Sequence, residues 1–599
     1  MSKKEKKEPK TIIVKNLQPN GDTYVLERLV QYDPEKKYTR TLHSVLIGKI
    51  PKGETEMVPT RKKRPNGYKK QNSTEDQTSH KDTPKSKSSE PIQVSASRKR
   101  VGMTDILDFV GEDSGIKKAL YTCTDKGTAD KIMSLVWYTI CTNGQSFPGI
   151  KTWQLNHPIP YAEGISEDIY NTLFKELGGS ETLMQRFFLE RSKNLKKNTA
   201  IAYDSTTIST YSDNLIDARY GMNKAGDGKK TIKLLTLYSI DTGEPIAFAK
   251  QPGNLTDVAS ITNALEQLAF LGLDKIQLVT DNGYYSRANI ANMLDKGFNF
   301  LTLMRPSYKE VREIIDNHRE EFSLARNICP FDLMTKCISV REKKTFEKKR
   351  KYANHKTGAK VGDIETFEKN VSIHVYYNAE RRNNEEYSLG KKLSFLKTYI
   401  EDGKPIEELS DSRKKDVKKF FTIKKHGKKI SAIINEDAYA DALKYCGYFA
   451  LISNNEKDRF EALRKYRKRN DIEMFFEKGK QHTDLNHTRA WSDTSVMGRL
   501  FVHFVSLCYY EYLYQKIATM RKTLGKENGD PKHDLKGNLD LEEKLKSRLC
   551  NEPLYILLQW FDAIEEVKVS SNIKKRRWST EMTKLDNMFL EKIGMSVSD

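Results

Sequence analysis

Apolar positions recur with two different periods along this chain, and the switches between them mark its parts. Thr11–Leu17, Thr23–Tyr32 and Thr41–Gly48 alternate and are rich in β-branched residues. They predict three short strands, joined by polar turns at Pro19-Asn20-Gly21 and Asp33-Pro34. From Arg61 to Arg100 large apolar residues almost vanish in favour of Lys, Ser, Thr, Pro and Gln, the composition of a disordered linker. Between 104 and 195 the spacing is helical, as in Ala129–Thr142 and Ile169–Gly178. Alternation then returns in Ala200–Ile208, Thr231–Ile240 and Pro245–Ala249, the last two joined by the hairpin turn Asp241-Thr242-Gly243-Glu244. A helix (Asp257–Leu271), a strand (Lys275–Thr280), a helix (Ser286–Lys296) and a strand (Phe298–Met304) follow. Three antiparallel strands and then alternating helix and strand predict an α/β fold with a mixed sheet. Residues 306–446 break this rhythm and read as an inserted domain, with strand candidates at Val371–Asn378 and Phe420–Ile434. Beyond it come a strand at Tyr448–Ser453, one long helix from Asp458 to Lys480, a helix at Ser495–Lys522 and a helical last 70 or so residues. The expected organisation is therefore a β-rich module (1–60), a linker (61–100), a helical region (101–197), a core in two parts (198–305 and 447–522) split by the insertion (306–446), and a helical C-terminal region (523–599).

Composition narrows the class. With 37% hydrophobic and 31% charged residues in 599, the chain is long enough for several domains and is not an integral membrane protein. Its most apolar stretch, Val496–Tyr514, contains Arg499, His503 and Glu511, so it predicts a core helix. Met1–Lys10 is Lys/Glu-rich with no apolar run behind it, which argues against a signal peptide. Seven scattered Cys without a CxxC pair fit a reducing cytoplasm and exclude a disulfide framework. Lys and Arg number 103 against 81 Asp and Glu, a net charge of +22. Such a surplus attracts polyanions, most simply nucleic acid, with an anionic membrane surface as the alternative. Residues 1–100 alone carry 24 Lys and Arg against 12 Asp and Glu. Three tight basic runs stand out, Arg61-Lys62-Lys63-Arg64, Arg98-Lys99-Arg100 and Lys574-Lys575-Arg576-Arg577.

Three carboxylates are placed for chemistry. Asp204 stands inside an otherwise apolar or small strand, where an acid is costly unless paired or metal-bound; a capped turn is the bland alternative. Asp281 lies just past the end of a buried strand, where open α/β sheets place their ligands, though Asp-Asn-Gly also makes an Asx-turn. On the helix 458–480, advancing ~100° per residue from Tyr466, Arg469, Glu473 and Lys480 fall within about 60° of it. An aromatic, two cations and a carboxylate thus share one face, beside an apolar face of Ile472, Phe475 and Phe476. A solvated stripe with an Arg469–Glu473 pair is the alternative there. Two aspartates and a glutamate converging would need cations to neutralise them, and hard oxygen donors suit Mg²⁺ or Mn²⁺. Two ions about 3.5–4 Å apart would activate a water or a 3′-hydroxyl against a phosphodiester.

These residues resemble the RNase H-fold DDE transposases of prokaryotic insertion sequences, in the branch with the signature Y-(2)-R-(3)-E-(6)-K. The match is Tyr466-(2)-Arg469-(3)-Glu473-(6)-Lys480, with Thr280-Asp281-Asn282-Gly283-Tyr284-Tyr285 and Asp204-Ser205-Thr206-Thr207 similar to the two aspartate motifs. The resemblance implies an RNase H-like core with a β-rich insertion, and Asp204, Asp281 and Glu473 as a triad holding two Mg²⁺ or Mn²⁺. It implies that Tyr466, Arg469 and Lys480 contact DNA, and that 101–197 binds the element's ends. It further implies that 523–599 serves dimerisation or DNA contact, and that a cytoplasmic homodimer cuts transposon ends and joins them to target DNA without a nucleotide cofactor or a membrane. Relatives use an insertion aromatic against an unstacked base at a hairpinned end, yet no Trp lies between Trp153 and Trp491, leaving Tyr or Phe for that role.

Other motifs lead elsewhere. Gly226-Asp227-Gly228-Lys229-Lys230-Thr231 lacks the spacing of a phosphate loop. His482 and His487 have no Cys pair upstream and read as helix-end or DNA-facing. Asp257 is a rival carboxylate that reads rather as a helix cap, and Glu477 yields to Glu473 on spacing. The nine Lys/Arg between Arg413 and Lys429 read as DNA-backbone contacts rather than a solvated loop. Another RNase H-fold nuclease or resolvase, or a transposase-derived binding protein without activity, are the alternative functions.

Overall fold

A computed structural model describes residues 9–18, 21–33, 38–53, 55–58, 94–273, 275–350, 360–426, 429–526, 536–571 and 575–596. Pro19, Asn20, Pro34, most of the expected linker (61–93) and Lys574 lie outside them. The chain divides into two compact units, Met1–Glu90 and Pro91–Asp599.

In the first unit the three alternating segments form an antiparallel sheet, β1 (Lys10–Leu17), β2 (Thr23–Asp33) and β3 (Tyr38–Ile50), in that order. The β2–β3 pairing is bulged at Val25/Leu26 and Leu29/Val30, which adds local twist.

The second unit opens with β4 (Val94–Arg100), so the end of the expected linker is a strand. Six helices follow: α1 (Gly102–Asp113), α2 (Ile116–Cys123), α3 (Lys126–Cys141), α4 (Ile150–Asn156), α5 (Glu167–Gly179) and α6 (Glu181–Ser192). Then come β5 (Ala200–Ser209), β6 (Thr231–Ser239), β7 (Glu244–Pro252), α7 (Asp257–Phe270), β8 (Gln277–Thr280), α8 (Arg287–Asp295) and β9 (Asn299–Met304). The insertion holds α9 (Lys309–Asn317), β10 (Ile328–Cys329), β11 (Asp332–Lys349), β12 (Ile364–Asn378), α10 (Ala379–Glu401), α11 (Asp411–Phe420), β13 (Phe421–His426), β14 (Lys429–Ile434) and α12 (Glu436–Lys444). After it come β15 (Tyr448–Ser453), α13 (Arg459–Lys468), α14 (Asn470–His482), α15 (Asp493–Thr523), α16 (Lys536–Asn551), α17 (Leu554–Trp560), β16 (Glu565–Ser571), β17 (Lys575–Ser579) and α18 (Lys584–Ile593).

One nine-stranded mixed sheet organises this unit, in the order β10-β11-β12-β15-β9-β8-β5-β6-β7. β5, β6 and β7 are antiparallel, whereas β8 runs parallel to β5 and β9 parallel to β8. All ten residues of β5 are buried, as expected of a strand covered on both faces. α15 is apolar nearly all round and lies buried in the core. It meets α5 closely, because Gly178 faces the Thr494 backbone and Gly498 faces the Phe174 backbone. A Cβ on either glycine would stand 2.0 Å or less from a carbonyl oxygen.

Two expectations change here. The insertion is not a separate strand-bearing domain, because β10, β11 and β12 extend the main sheet through β15. Only its helical part, with the β13–β14 hairpin, has a small core of its own, built on Leu393, Leu396, Ile400, Val417 and Phe420. The basic run from Arg413, expected to meet the DNA backbone, lies on helix α11 and strand β13. The C-terminal region contains two strands, β16 and β17, beside its helices.

Asp316 on α9 joins the insertion's start to its end. It receives Lys444 Nζ at 2.9 Å, Tyr445 Oη at 2.7 Å and Arg319 Nη2 at 3.1 Å. Burial pushes its carboxyl up, but the bonds from Lys444, Tyr445 and Arg319 outweigh that and hold it at about 2, below its ordinary 3.8. Because the folded value is depressed, the stability it contributes is present above pH 3.8 and is lost as pH falls through about 2. Urea unfolding between these pH values should therefore show a shallower acid loss in Asp316→Asn than in the wild type. An unchanged slope would discount the cluster.

Candidate active site

The parallel register of β5 and β8 decides where the two aspartates meet. Tyr203 pairs with Thr280 as the last partners, so Asp204 and Asp281 are the next residue on each strand, at the carboxyl end of the parallel pair. Asp204 is 8% exposed. Its Oδ1 accepts the Ser205 amide at 2.7 Å and Tyr284 Oη at 3.4 Å, and its Oδ2 accepts Arg469 Nη1 at 3.2 Å. Burial holds this carboxyl above the ordinary aspartate value, opposed by Lys224 and Arg469 and reinforced by Asp281. Asp281 caps the short turn Asn282–Tyr284, its Oδ1 accepting the Asn282 amide at 2.7 Å. The same oxygen accepts Tyr466 Oη at 3.2 Å. Asp281 thus both caps a turn and meets Tyr466 from the Glu473-bearing side of the site.

Helices α13 and α14 bring the rest. The expected single helix is broken at Arg469, where tight bonds from the Arg469 amide to Tyr466 O and from the Ile472 amide to Arg469 O make a 3₁₀-like step. Arg469 remains in the right-handed helical region, so the step keeps Tyr466, Arg469 and Glu473 on one side. Ile472, Phe475 and Phe476 are buried, as the apolar face requires. The Arg469 guanidinium is 4% exposed and bridges two carboxylates, Asp204 through Nη1 and Glu473 Oε1 through Nη2 at 2.7 Å. The Tyr466 ring lies 5.4 Å from it. Burial alone would lower the Arg469 pKa, but Tyr466, Asp204 and Asp281 more than reverse this and fix the positive charge. The Tyr466 hydroxyl is pushed up by its burial and by Asp281.

Tyr466 and Arg469 thus bond to the site's own carboxylates, whereas Lys480 stands apart. Lys480 is half-buried, its pKa lowered by burial and by neighbouring Lys224. Among the described residues no three His, Cys, Asp or Glu side chains are gathered as a metal cluster. The three carboxylates are linked through Arg469 and Tyr466 instead. Their donor set, all carboxylate oxygen, still fits a hard divalent ion, with Arg469 the group that such an ion would have to displace from Asp204.

Several participants are not those the chain pattern singled out. Lys224, in the connection from β5 to β6, donates Nζ to Ser205 O at 2.7 Å and acts on Asp204 by charge. Asp257 does not serve as a cap; it is the first residue of α7, its Oδ1 accepting Ser205 Oγ at 3.1 Å and Lys233 Nζ at 2.9 Å. A Cβ at Gly283 would come within 3.1 Å of the Asp257 Oδ2, so the small residue after Asn282 admits this carboxylate. Tyr284, buried in the Asp-x-Gly-aromatic run, reaches back to Asp204. Glu477 instead accepts Gln481 on the exposed side of α14. His482 ends α14, bonded to Asn143 Oδ1 at 2.7 Å and stacked on Tyr510, while His487 stacks on Tyr211.

No described helix is long and apolar enough to cross a membrane. Residues 195–509 match a family model described as the transposase DDE domain, over half of the 599-residue chain. No curated protein matches the chain. Among solved structures it is similar to a cryo-EM structure of the piggyBac transposase synaptic complex with hairpin DNA, at 10% identity and a TM-score of 0.34, covering 76% of this chain and 81% of that one.

Proposed function

The chain belongs to the transposase DDE-domain family, and from that premise we propose that it cuts DNA at the ends of its own element and joins those ends to target DNA. The observation that carries this reading is the pair Asp204, within β5, and Asp281, just past the end of the parallel strand β8, side by side where that pairing ends and tied through Arg469 and Tyr466 to the helix bearing Glu473. The order β7-β6-β5-β8-β9, three antiparallel strands and two parallel ones, supports an RNase H-like core. In this reading Asp204, Asp281 and Glu473 hold two Mg²⁺ or Mn²⁺ ions. When bound, such ions lower the pKa of an attacking water or hydroxyl and stabilise the departing oxygen of the phosphodiester.

The protein's own groups prepare that step. Arg469 keeps three carboxylates from repelling one another in a half-buried site, and it is a fork-shaped donor suited to a phosphate once an ion takes over Asp204. Tyr466 holds Asp281 toward the centre. Lys224 and Lys480, whose charges already act on each other, border it with positive potential for the DNA backbone. Tyr284 and the Ser205 amide fix the orientation of Asp204. A homodimer working across paired ends completes the proposal.

The reaction class is tested by incubating the full chain with Mg²⁺, a labelled duplex carrying the element's ends, and a plasmid target. Joined products of label and plasmid are expected. Hydrolysed ends alone, with no joined product, would reassign the chain as a nuclease.

A further inference from the structure

Two of the basic runs stand about 475 residues apart in the chain, yet both lie in one sheet, on either side of a shared strand. β4 carries Arg98, Lys99 and Arg100, β17 carries Lys575, Arg576 and Arg577, and both pair antiparallel with β16 in a three-stranded sheet. These 19 residues hold seven Lys and Arg against two Glu, a net +5, whereas the whole chain reaches +22 over 599. The charge is therefore concentrated here, well above the chain average.

The register sorts these cations. Arg98, Val567 and Trp578 share one row, and Ala96, Val569 and Arg576 the next row on the same face, while Lys99, Lys575 and Arg577 lie on the other face. Trp578 is 50% exposed, and all five residues of β17 are exposed. Two buried glutamates lie under the cations. Glu565 contacts Arg98 through its Nε and Arg100, and Glu566 contacts Arg577 through its Nε and Lys568. An arginine held by its Nε is oriented while its outer end faces solvent, and the Arg98 and Arg577 side chains are 72% and 74% exposed. Lys575 and Arg576 have no ion-pair partner among the described residues. The bland reading is a charged edge strand that discourages aggregation. It accounts for the charge on both edge strands, β4 and β17, but not for buried glutamates that orient arginines outward.

We propose that the β4–β16–β17 sheet is a second DNA surface, separate from the carboxylate site, that holds the phosphate backbone of double-stranded DNA. The ligand class rests on the reading of this chain as a DNA-acting enzyme; the location does not. Contacts of this kind position a duplex without reading its sequence and give a steep salt dependence.

The test measures equilibrium binding of the full chain to fluorescent duplexes of unrelated sequence, without divalent ion so that no cutting intervenes, over a range of salt. The Lys575→Ala/Arg576→Ala variant removes two exposed cations and should melt as the wild type does. Its affinity should fall by a similar factor for every duplex, and the slope of log K against log salt should drop by about 1, because the two residues lie on opposite faces and a duplex on one face meets one of them. Charge reversal at both positions should weaken binding further. A wild-type chain that binds duplex while the variant's slope is unchanged overturns the sheet proposal alone. A wild-type chain that does not bind duplex at all overturns the parent reading. Loss confined to single-stranded oligonucleotides, or to anionic lipid vesicles, also overturns the assignment to duplex DNA.

Discussion

Replacing Asp204 with asparagine is expected to abolish metal-dependent DNA cleavage while leaving the protein at least as stable as the wild type. The two effects separate because the carboxylate is buried. Its charge is disfavoured there, which is why its pKa is raised. Asparagine keeps the shape and its oxygen can still accept the Ser205 amide and Tyr284; its NH₂ cannot accept from Arg469, but Arg469 keeps Glu473 as a partner, so relief of the buried charge offsets that one lost bond. The chemistry loses a ligand charge on which several kcal/mol of transition-state stabilisation depend, a loss of at least ~10³-fold at about 1.36 kcal/mol per tenfold. Gel assays of end cleavage and thermal melts read the two quantities separately, and duplex binding without metal should survive. Substantial activity in Asp204→Asn would remove Asp204 from the catalytic set. A large drop in melting temperature would instead make it a structural counter-ion of Arg469. Glu473→Gln should give the same loss of cleavage with even less effect on folding, since the Glu473 side chain is 55% exposed.

Arg469→Ala should show the opposite balance, a fold weakened by ~3–5 kcal/mol, the usual cost of leaving a buried charge unpaired. The guanidinium neutralises Asp204 and Glu473 and lies near the Tyr466 ring, so alanine leaves Asp204 beside Asp281 with Lys224 as the remaining cation acting on it. Arg469→Lys should recover only part of the loss, because one ammonium cannot present the fork that reaches both carboxylates. The double variant Asp204→Asn/Arg469→Ala should be less destabilised than the sum of its singles, since the groups are in contact. Urea unfolding measures each. Millimolar Mg²⁺ should stabilise Arg469→Ala more than the wild type, because an ion bound only to the folded state takes up the neutralising task. Equal stability of Arg469→Ala and wild type would mean that the bridge contributes nothing to the fold.

The strands β5 to β9 were legible because each is a short alternating or wholly apolar run bounded by turn residues, and burial of β5 on both faces follows from that pattern. The chemistry was legible wherever spacing alone brings residues together. The spacing of Tyr466, Arg469 and Glu473 survives the break at Arg469, since one 3₁₀-like step turns the helix too little to scatter them. The break itself was hidden, because no Gly or Pro marks it. Lys224 was hidden, and Asp257 read as a cap, for another reason. One lies in a connection and the other at a helix start, and only tertiary packing brings each to Ser205. The insertion's place in the main sheet depends on which edge β15 offers to β12, and local periodicity holds no record of that. β4 looked like linker because Ser, Lys and Arg give it no apolar rhythm; it is a strand because β16 supplies the partner.

That partnership also fixes a time of birth. Ser95 bonds to the carbonyl of Ser570, 475 positions later. At about 5–20 residues per second, β4 waits some 25–95 s after its own synthesis before β16 exists to pair with it. The basic sheet therefore cannot form on a half-made chain. A nascent chain can already have β5, β8 and even α14 in place while it still lacks this surface. Any grip on DNA that depends on the sheet begins only when the polypeptide is nearly finished.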